Sequence, residues 1–277
     1  MVISELVSLY SKRLDDKKEL YYFMGEIFDK DISYFYAHGD ETVDDKKVKK
    51  LNSYIERRLK GEPVEYIIGK AYFMSCTFKV SKGILIPRSD TETVAEEAVR
   101  ILSQMKNNPW VLDMCCGSGC IGISVAKLVD NALVTLCDVS DICIETTEKN
   151  IKLNRVDDRC RALKSDLFKS IQGRFDIIIS NPPYIPMNEY VRLDHSVLDY
   201  EPKEALLGGM EGTEYYTDIA DKALNFLSKG GYLLFEVGYD QAEYVEKILQ
   251  DKGYTQIRHV KDLQGIDRVV CARYYSN

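Results

Sequence analysis

From Trp110 to Leu128 the chain passes from a short apolar run, Trp110–Met114, through Cys115-Cys116-Gly117-Ser118-Gly119-Cys120-Ile121-Gly122 into a helix-forming stretch. Gly117, Gly119 and Gly122 keep the G-x-G-x-x-G spacing between a predicted strand and a predicted helix. Glycines so placed let the backbone turn sharply and approach a ligand before the helix starts. A turn of this kind belongs at the carboxyl end of a parallel strand, so further βα units are required around it.

The rest of the chain supplies them. Strands are expected at Trp110–Met114, Leu133–Asp138, Arg161–Leu163, Phe175–Ser180 and Tyr232–Val237, with helices over Gly119–Leu128, Ser140–Leu153 and Glu214–Leu227. This rhythm predicts an α/β fold with a doubly wound, Rossmann-like parallel sheet and a ligand at the strand carboxyl ends. Thr255–Val260 and Arg268–Tyr274 have only a turn between them and are expected to pair antiparallel.

The amino-terminal part has another texture. Leu6, Leu9 and Tyr10, and Val48, Leu51, Ile55 and Leu59, recur at helical spacing and predict a small helical bundle over residues 1–68. Lys46, Lys47, Lys49 and Lys50 read as a solvated helix face. Residues 69–88 are read as a β-hairpin linker, with Tyr72–Val80 as strand, Ser81-Lys82-Gly83 as turn and Ile84-Leu85-Ile86 beyond it. A helix is expected from about Asp90, and residues 89–277 form the larger α/β domain.

Residues 1–60 carry 12 Lys/Arg against 12 Asp/Glu, so the whole net charge of −7 lies in the α/β part. An acidic catalytic part suits a protein partner better than a phosphate backbone, and no direct nucleic-acid partner is expected. The eight cysteines form no CxxC pair and the three histidines are scattered, so no metal site is expected and the thiols read as reduced core residues. No apolar run approaches the ~20 residues of a membrane span. Met1-Val2-Ile3-Ser4-Glu5 lacks the basic-then-apolar start of a signal peptide. A cytoplasmic monomer without membrane contact is the expectation.

Two further strand ends narrow the ligand. Asp138 closes the second strand, nineteen residues after Gly119, where a carboxylate can accept both hydroxyls of a ribose. Asp166 follows the third strand and could meet an adenine amine. Three strand ends in register point to an adenosine-bearing ligand, with its identity open between a nicotinamide dinucleotide and another adenosine cofactor. The fourth strand ends in Asn181-Pro182-Pro183-Tyr184. The prolines make the loop rigid and free its carbonyls as acceptors. The Asn181 side-chain oxygen and the Pro182 carbonyl can then accept both N–H bonds of a planar amino group, on which Tyr184 can stack. Such a loop suits transfer of a methyl group to a poor nucleophile such as an amide nitrogen, where positioning and dehydration matter more than a strong base.

These motifs resemble the class I S-adenosyl-L-methionine methyltransferases, and within them the HemK/PrmC family of protein glutamine methyltransferases. The likeness runs from Gly61-Glu62-Pro63-Val64-Glu65-Tyr66 and Ile86-Pro87-Arg88-Ser89-Asp90-Thr91-Glu92 through the glycine loop, Asp138 and Asn181–Ile185. Glu201-Pro202, Gly208-Gly209, Glu236-Val237-Gly238 with Gln241, and Asp267-Arg268 continue it. The resemblance implies a seven-stranded class I methyltransferase sheet. It also implies methylation of the glutamine in the Gly-Gly-Gln loop of peptide chain release factors, with S-adenosyl-L-homocysteine as product. By the same resemblance Cys115, Cys116, Gly117, Ser118, Gly119, Asp138, Asp166, Leu167 and Asn181 line the cofactor site. Asn181, Pro182, Pro183 and Tyr184 hold the glutamine amide, and the helical domain helps grip the release factor. The family often has Pro where Ser89 stands and an aromatic where Leu167 stands. Methylation of a ribosomal-protein glutamine, of an exocyclic adenine or guanine amine, and a non-catalytic cofactor-binding module are the competing readings.

Overall fold

The structure, a computed structural model, describes residues 1–14 and 16–275. It divides into two compact units, Met1–Lys70 and Ala71–Asn277.

The first unit is helical: α1 (Ile3–Tyr10), α2 (Lys17–Phe28), α3 (Ile32–Ala37), α4 (Asp45–Arg58) and α5 (Val64–Ile68). Asp16, Asp31 and Asp44 stand at the N-caps of α2, α3 and α4, and each accepts a backbone N–H of the first turn. Leu6, Leu20, Phe23, Met24, Leu51 and Ile55 are fully buried between the helices. Leu9 and Leu59, placed by periodicity on the same apolar faces, are each 48% exposed. The lysines of α4 lie outward, with Lys47 and Lys50 over the rings of Phe28 and Tyr54.

β1 (Lys70–Phe73), which starts at the last residue of the first unit, and β2 (Cys76–Lys79) form a two-stranded sheet of their own. Here the expected hairpin is corrected: the turn is at Met74-Ser75, and Ile84–Ile86 is not a strand. Two side chains explain the shift. Met74, at φ 51°, donates its N–H to Glu92, and Asn150 both donates to the Lys79 carbonyl and accepts from its N–H, as a neighbouring strand would.

Then follow α6 (Glu92–Leu102), β3 (Trp110–Met114), α7 (Cys120–Leu128), β4 (Leu133–Asp138), α8 (Asp141–Leu153), β5 (Cys160–Lys164) and β6 (Phe175–Ser180). After these come β7 (Ile185–Pro186), α9 (Met187–Tyr190), α10 (His195–Leu198), β8 (Leu207–Gly209), α11 (Glu214–Ala223) and β9 (Leu227–Glu236). The chain ends with α12 (Ala242–Asp251), β10 (Thr255–Lys261) and β11 (Asp267–Arg273). The last helix before β9 stops at Ala223, short of the expected Leu227. β9 starts earlier than expected because Leu227 pairs with Phe175 while Tyr232 pairs with Ile177, and the glycine-containing stretch 228–231 bulges between them.

Seven strands form one sheet in the order β10-β11-β9-β6-β3-β4-β5. β9, β6, β3, β4 and β5 run parallel, β11 pairs antiparallel with β9, and β10 closes the edge antiparallel to β11. Successive residues of the central strands enter opposite cores, as a period of two requires. Val111, Ile177 and Leu234 meet α6 and α7 on one face, whereas Leu112, Ile178 and Phe235 meet α11 and α12 on the other. From β3 the chain winds outward to β4 and β5, then returns to β6 on the other side of β3. The crevice above β3 and β6 is therefore the point where the winding reverses, the position at which such sheets bind ligands.

Candidate functional site

Two loops leave the sheet at this crevice. The first follows β3. Cys115, Gly117 and Gly119 have φ of 62°, 55° and 80°. At Gly119 a β-carbon would lie 2.9 Å from side-chain carbons of both Ile123 and Thr147, and with φ at 80° the turn favours glycine. The loop is tied down from the rear. Asp113 accepts the Gly122 N–H (2.8 Å), Asp138 accepts those of Gly117 (3.0 Å) and Ser140 (2.9 Å), and the Thr147 hydroxyl donates to the Gly117 carbonyl (3.0 Å). Asn150 donates to the Ser118 carbonyl (2.9 Å). The front is open, since a β-carbon on Gly117 would meet nothing within 4 Å.

Of the residues expected at the cofactor, Cys115, Gly117 and Asp138 are partly exposed around this opening, while Cys116, Ser118 and Gly119 are buried beneath it. Asp166 stands apart. Its side chain is 55% exposed and paired with Lys169 at 2.6 Å, and that partner holds its carboxyl below the usual range. Leu167 has φ 49° and packs against the second core. Tyr215 of α11 was not singled out in the sequence. Its phenol is raised by burial and by the neighbouring Cys115, Asp166 and Asp218, and its ring packs against the second core, as Leu167 does. Asp113 is fully buried, one of its oxygens has no partner, and desolvation pushes its carboxyl up to about 7.

The second loop follows β6. Pro182 and Pro183 are buried, and Asn181 and Tyr184 are half-buried, with Tyr184 packed on the second core. The Asn181 Nδ2 donates to the Thr91 hydroxyl (3.4 Å), so Oδ1 is the end of the carboxamide left to accept. The loop is held from several sides. Ser180 donates to the Met114 carbonyl (2.9 Å), which joins the two loop roots, and Gln241 donates to the Tyr184 carbonyl (2.9 Å). The Gln241 Oε1 accepts in turn from the Gly238 N–H and the Tyr216 hydroxyl. β7 pairs with β8 directly beyond the loop, and a β-carbon on Gly208 would lie 2.7 Å from the Pro183 carbonyl oxygen and the Tyr184 Cα. Burial pushes the Tyr184 phenol up, so it stays neutral.

Beside Asn181, at the end of β9, is Glu236, 4% exposed, with one carboxylate oxygen lacking any partner. In the sequence Glu236 is an ionisable residue closing the apolar run Tyr232-Leu233-Leu234-Phe235, and it opens the Glu236-Val237-Gly238 stretch of the family resemblance. Thr91, Gly208 and Gln241 also fall in the stretches that carry the resemblance, but their roles arise from contacts between distant segments and cannot be read there. Among the described residues no group of three or more His, Cys, Asp and Glu could hold a metal ion, and no helix is long and apolar enough to cross a membrane.

Comparison with known proteins gives this geometry a family. Residues 6–69 match the model of the PrmC N-terminal domain, and residues 95–196 match that of the methyltransferase small domain. A release factor glutamine methyltransferase of Clostridium botulinum is 38% identical over 257 residues, covering 91% of this chain and 90% of the relative. One of Clostridium acetobutylicum is 34% identical over 275 residues, covering 96% of each. A methyltransferase structure from Pyrococcus furiosus aligns with a TM-score of 0.50 at 19% identity, over 66% of this chain and 84% of that one, a likeness of fold alone. The seven-stranded sheet with its reversed final strands is that of the class I methyltransferases, and the chain belongs to the release factor glutamine methyltransferase family.

Proposed function

We propose that this chain transfers a methyl group from S-adenosyl-L-methionine to the side-chain amide nitrogen of the glutamine in the Gly-Gly-Gln motif of peptide chain release factors. The observation that carries the proposal is the orientation of Asn181. Its NH₂ is engaged with the buried Thr91, which leaves Oδ1 as the end able to accept a substrate N–H.

The cofactor reading rests on the opening in front of Gly117 and on the Asp138 carboxylate at its rim. Each Asp138 oxygen accepts one backbone N–H and keeps a second acceptor position, which suits the two hydroxyls of a ribose. Cys115, Cys116, Gly117, Ser118 and Gly119 would form the cradle, Leu167 and Tyr215 its apolar side. Asp166, turned to Lys169 at the surface, would have to leave that ion pair to meet an adenine amine. When bound, S-adenosyl-L-methionine supplies an electrophilic methyl group.

The chain's own contribution is positioning and electrostatics. An amide nitrogen has a delocalised lone pair and is a weak nucleophile. Asn181 Oδ1 and the Pro182 carbonyl would hold its two N–H bonds, and both acceptors bind more strongly as positive charge grows on that nitrogen. Buried prolines and the half-buried Tyr184 keep water from competing with the amide. The second N–H becomes more acidic after transfer, and its proton leaves to solvent. The helical unit, matched by the PrmC N-terminal domain, would contribute grip on the protein substrate.

The test is an assay with methyl-labelled S-adenosyl-L-methionine. The purified chain is offered a release factor, a variant with the loop glutamine changed to alanine, and unmethylated DNA and RNA. Label on the intact factor alone is expected. Label on nucleic acid alone would sink the substrate assignment and leave the methyltransferase fold standing.

A further inference from the structure

Thr91 is the N-cap of α6, a position where a threonine hydroxyl ordinarily accepts a first-turn N–H and stabilises the helix by about 1 kcal/mol. Here it makes no such bond. The residue is 3% exposed, and its hydroxyl oxygen accepts from the Asn181 Nδ2 instead. Glu236 completes the arrangement. Ser180 and Phe235 are paired across β6 and β9, so Asn181 and Glu236 are the next residues on adjacent strands as both leave the sheet. The Thr91 and Asn181 side chains face the Glu236 carboxylate and favour its ionised form, against the larger opposing effect of burial.

The cation that acts on this carboxylate lowers it less than burial raises it. Arg268, on β11, is engaged with Asp90 (2.9 Å) and Asp262 (3.1 Å). The other titratable groups facing Glu236 are Asp90 before α6, Tyr184 in the loop, Tyr216 on α11 and Cys120 on α7. The phenols and the thiol are all raised, so they are neutral at physiological pH. A buried carboxylate with one oxygen unpartnered is costly.

We propose that Glu236 and Thr91 are positioning residues that lock the Asn181 carboxamide with its NH₂ inward and its Oδ1 facing the acceptor amide. This rests on the reading of Asn181 as an acceptor for the glutamine. The logic is one of donors and acceptors. An ionised carboxylate can only accept, so it commits the Thr91 O–H to itself. The Thr91 oxygen is thereby free to accept, and only the NH₂ end of Asn181 satisfies both neighbours. A carboxamide turned the other way would set Oδ1 against Glu236 and present a donor to a substrate that also donates. The unpartnered Glu236 oxygen is buried, so Glu236 acts through Asn181 and not on the substrate.

Desolvation raises the Glu236 carboxyl to about 7. Since the ionised form sets the orientation, turnover should rise with pH through that value.

The experiment uses the full chain carrying Glu236→Gln, Thr91→Val or Thr91→Ser, with a release factor and labelled S-adenosyl-L-methionine as substrates. Glu236→Gln and Thr91→Val are expected to lower kcat about tenfold or more, the scale of a lost preorganised interaction. The dissociation constant of S-adenosyl-L-methionine should stay within about twofold, and Thr91→Ser should recover most of kcat. The acidic limb near pH 7 should be present in the parent and absent in Glu236→Gln. A limb retained in Glu236→Gln, or a Thr91→Ser no better than Thr91→Val, would overturn the proposal. A second readout is independent of the acceptor: the Asn181 side-chain amide resonance, identified by its loss in Asn181→Asp. It should titrate near pH 7 in the parent and not in Glu236→Gln. Absence of that titration overturns the positioning role. Transfer of label to a different acceptor, with the titration intact, overturns the glutamine reading and leaves the positioning role in place.

Discussion

The loops after β3 and β6 leave adjacent parallel strands, yet they are built on opposite plans. The first is made of glycines with left-handed backbone and is tied from behind by four side chains, Asp113, Asp138, Thr147 and Asn150. The second is made of prolines and is braced by Ser180, Gln241 and the close approach of Gly208. One keeps backbone flexible in φ and opens a cradle; the other removes N–H donors and offers acceptors. The difference matches two tasks at one crevice: receiving a bulky ligand, and holding a planar donor pair beside it.

The sharpest way to separate the two is Asn181→Ala. It removes the outward acceptor, and turnover should fall by about 100-fold or more, by analogy with loss of one preorganised oxyanion contact. Calorimetry with S-adenosyl-L-methionine should show affinity largely preserved, and unchanged turnover would remove Asn181 from the chemistry. Asp138→Ala should do the reverse. Loss of a charged acceptor costs about 2 kcal/mol, or roughly 30-fold in cofactor affinity, while kcat at saturating cofactor changes less. Equal losses in both measurements would show that the two loops do not have separate tasks.

Stability gives a third contrast. Asp113 has a pKa of about 7 in the folded chain against 3.8 unfolded. The native state therefore holds the extra proton between these values, and stability present below pH 4 is lost as pH rises through 7. Each pKa unit corresponds to about 1.4 kcal/mol, so Asp113→Asn should flatten part of the decline in melting temperature between pH 4 and 7. An unchanged slope would show that Asp113 is not the titrating group. The smallest effect should come from Asp166→Ala. As an exposed residue paired with Lys169, it should alter cofactor affinity by no more than about twofold, typical of surface pairs. A tenfold loss would show that Asp166 leaves the surface to bind the ligand.

Much of the fold was legible in the sequence because it repeats a local rule. Val111 and Leu112, or Ile177 and Ile178, alternate between the two cores, and each apolar run ends at a turn residue. The boundaries that failed depend on distant partners. Asn150 and Glu92 set the hairpin register, and the bulge at 228–231 is imposed by pairing with β6. The same division runs through the candidate site. The glycine spacing and Asn181-Pro182-Pro183-Tyr184 are contiguous and can be read directly. Thr91, Glu236 and Gln241 lie 90, 55 and 57 residues from the loop positions they serve.

By itself, then, the sequence determined which loops exist and what backbone each can adopt, because glycine and proline act on their own φ. Tertiary structure alone decided which end of the Asn181 carboxamide bonds to Thr91, why Asp166 lies at the surface, and which carboxylates lose their water. Those outcomes depend on burial and on hydrogen-bond partners brought together from separate strands, and neither is encoded in any single segment.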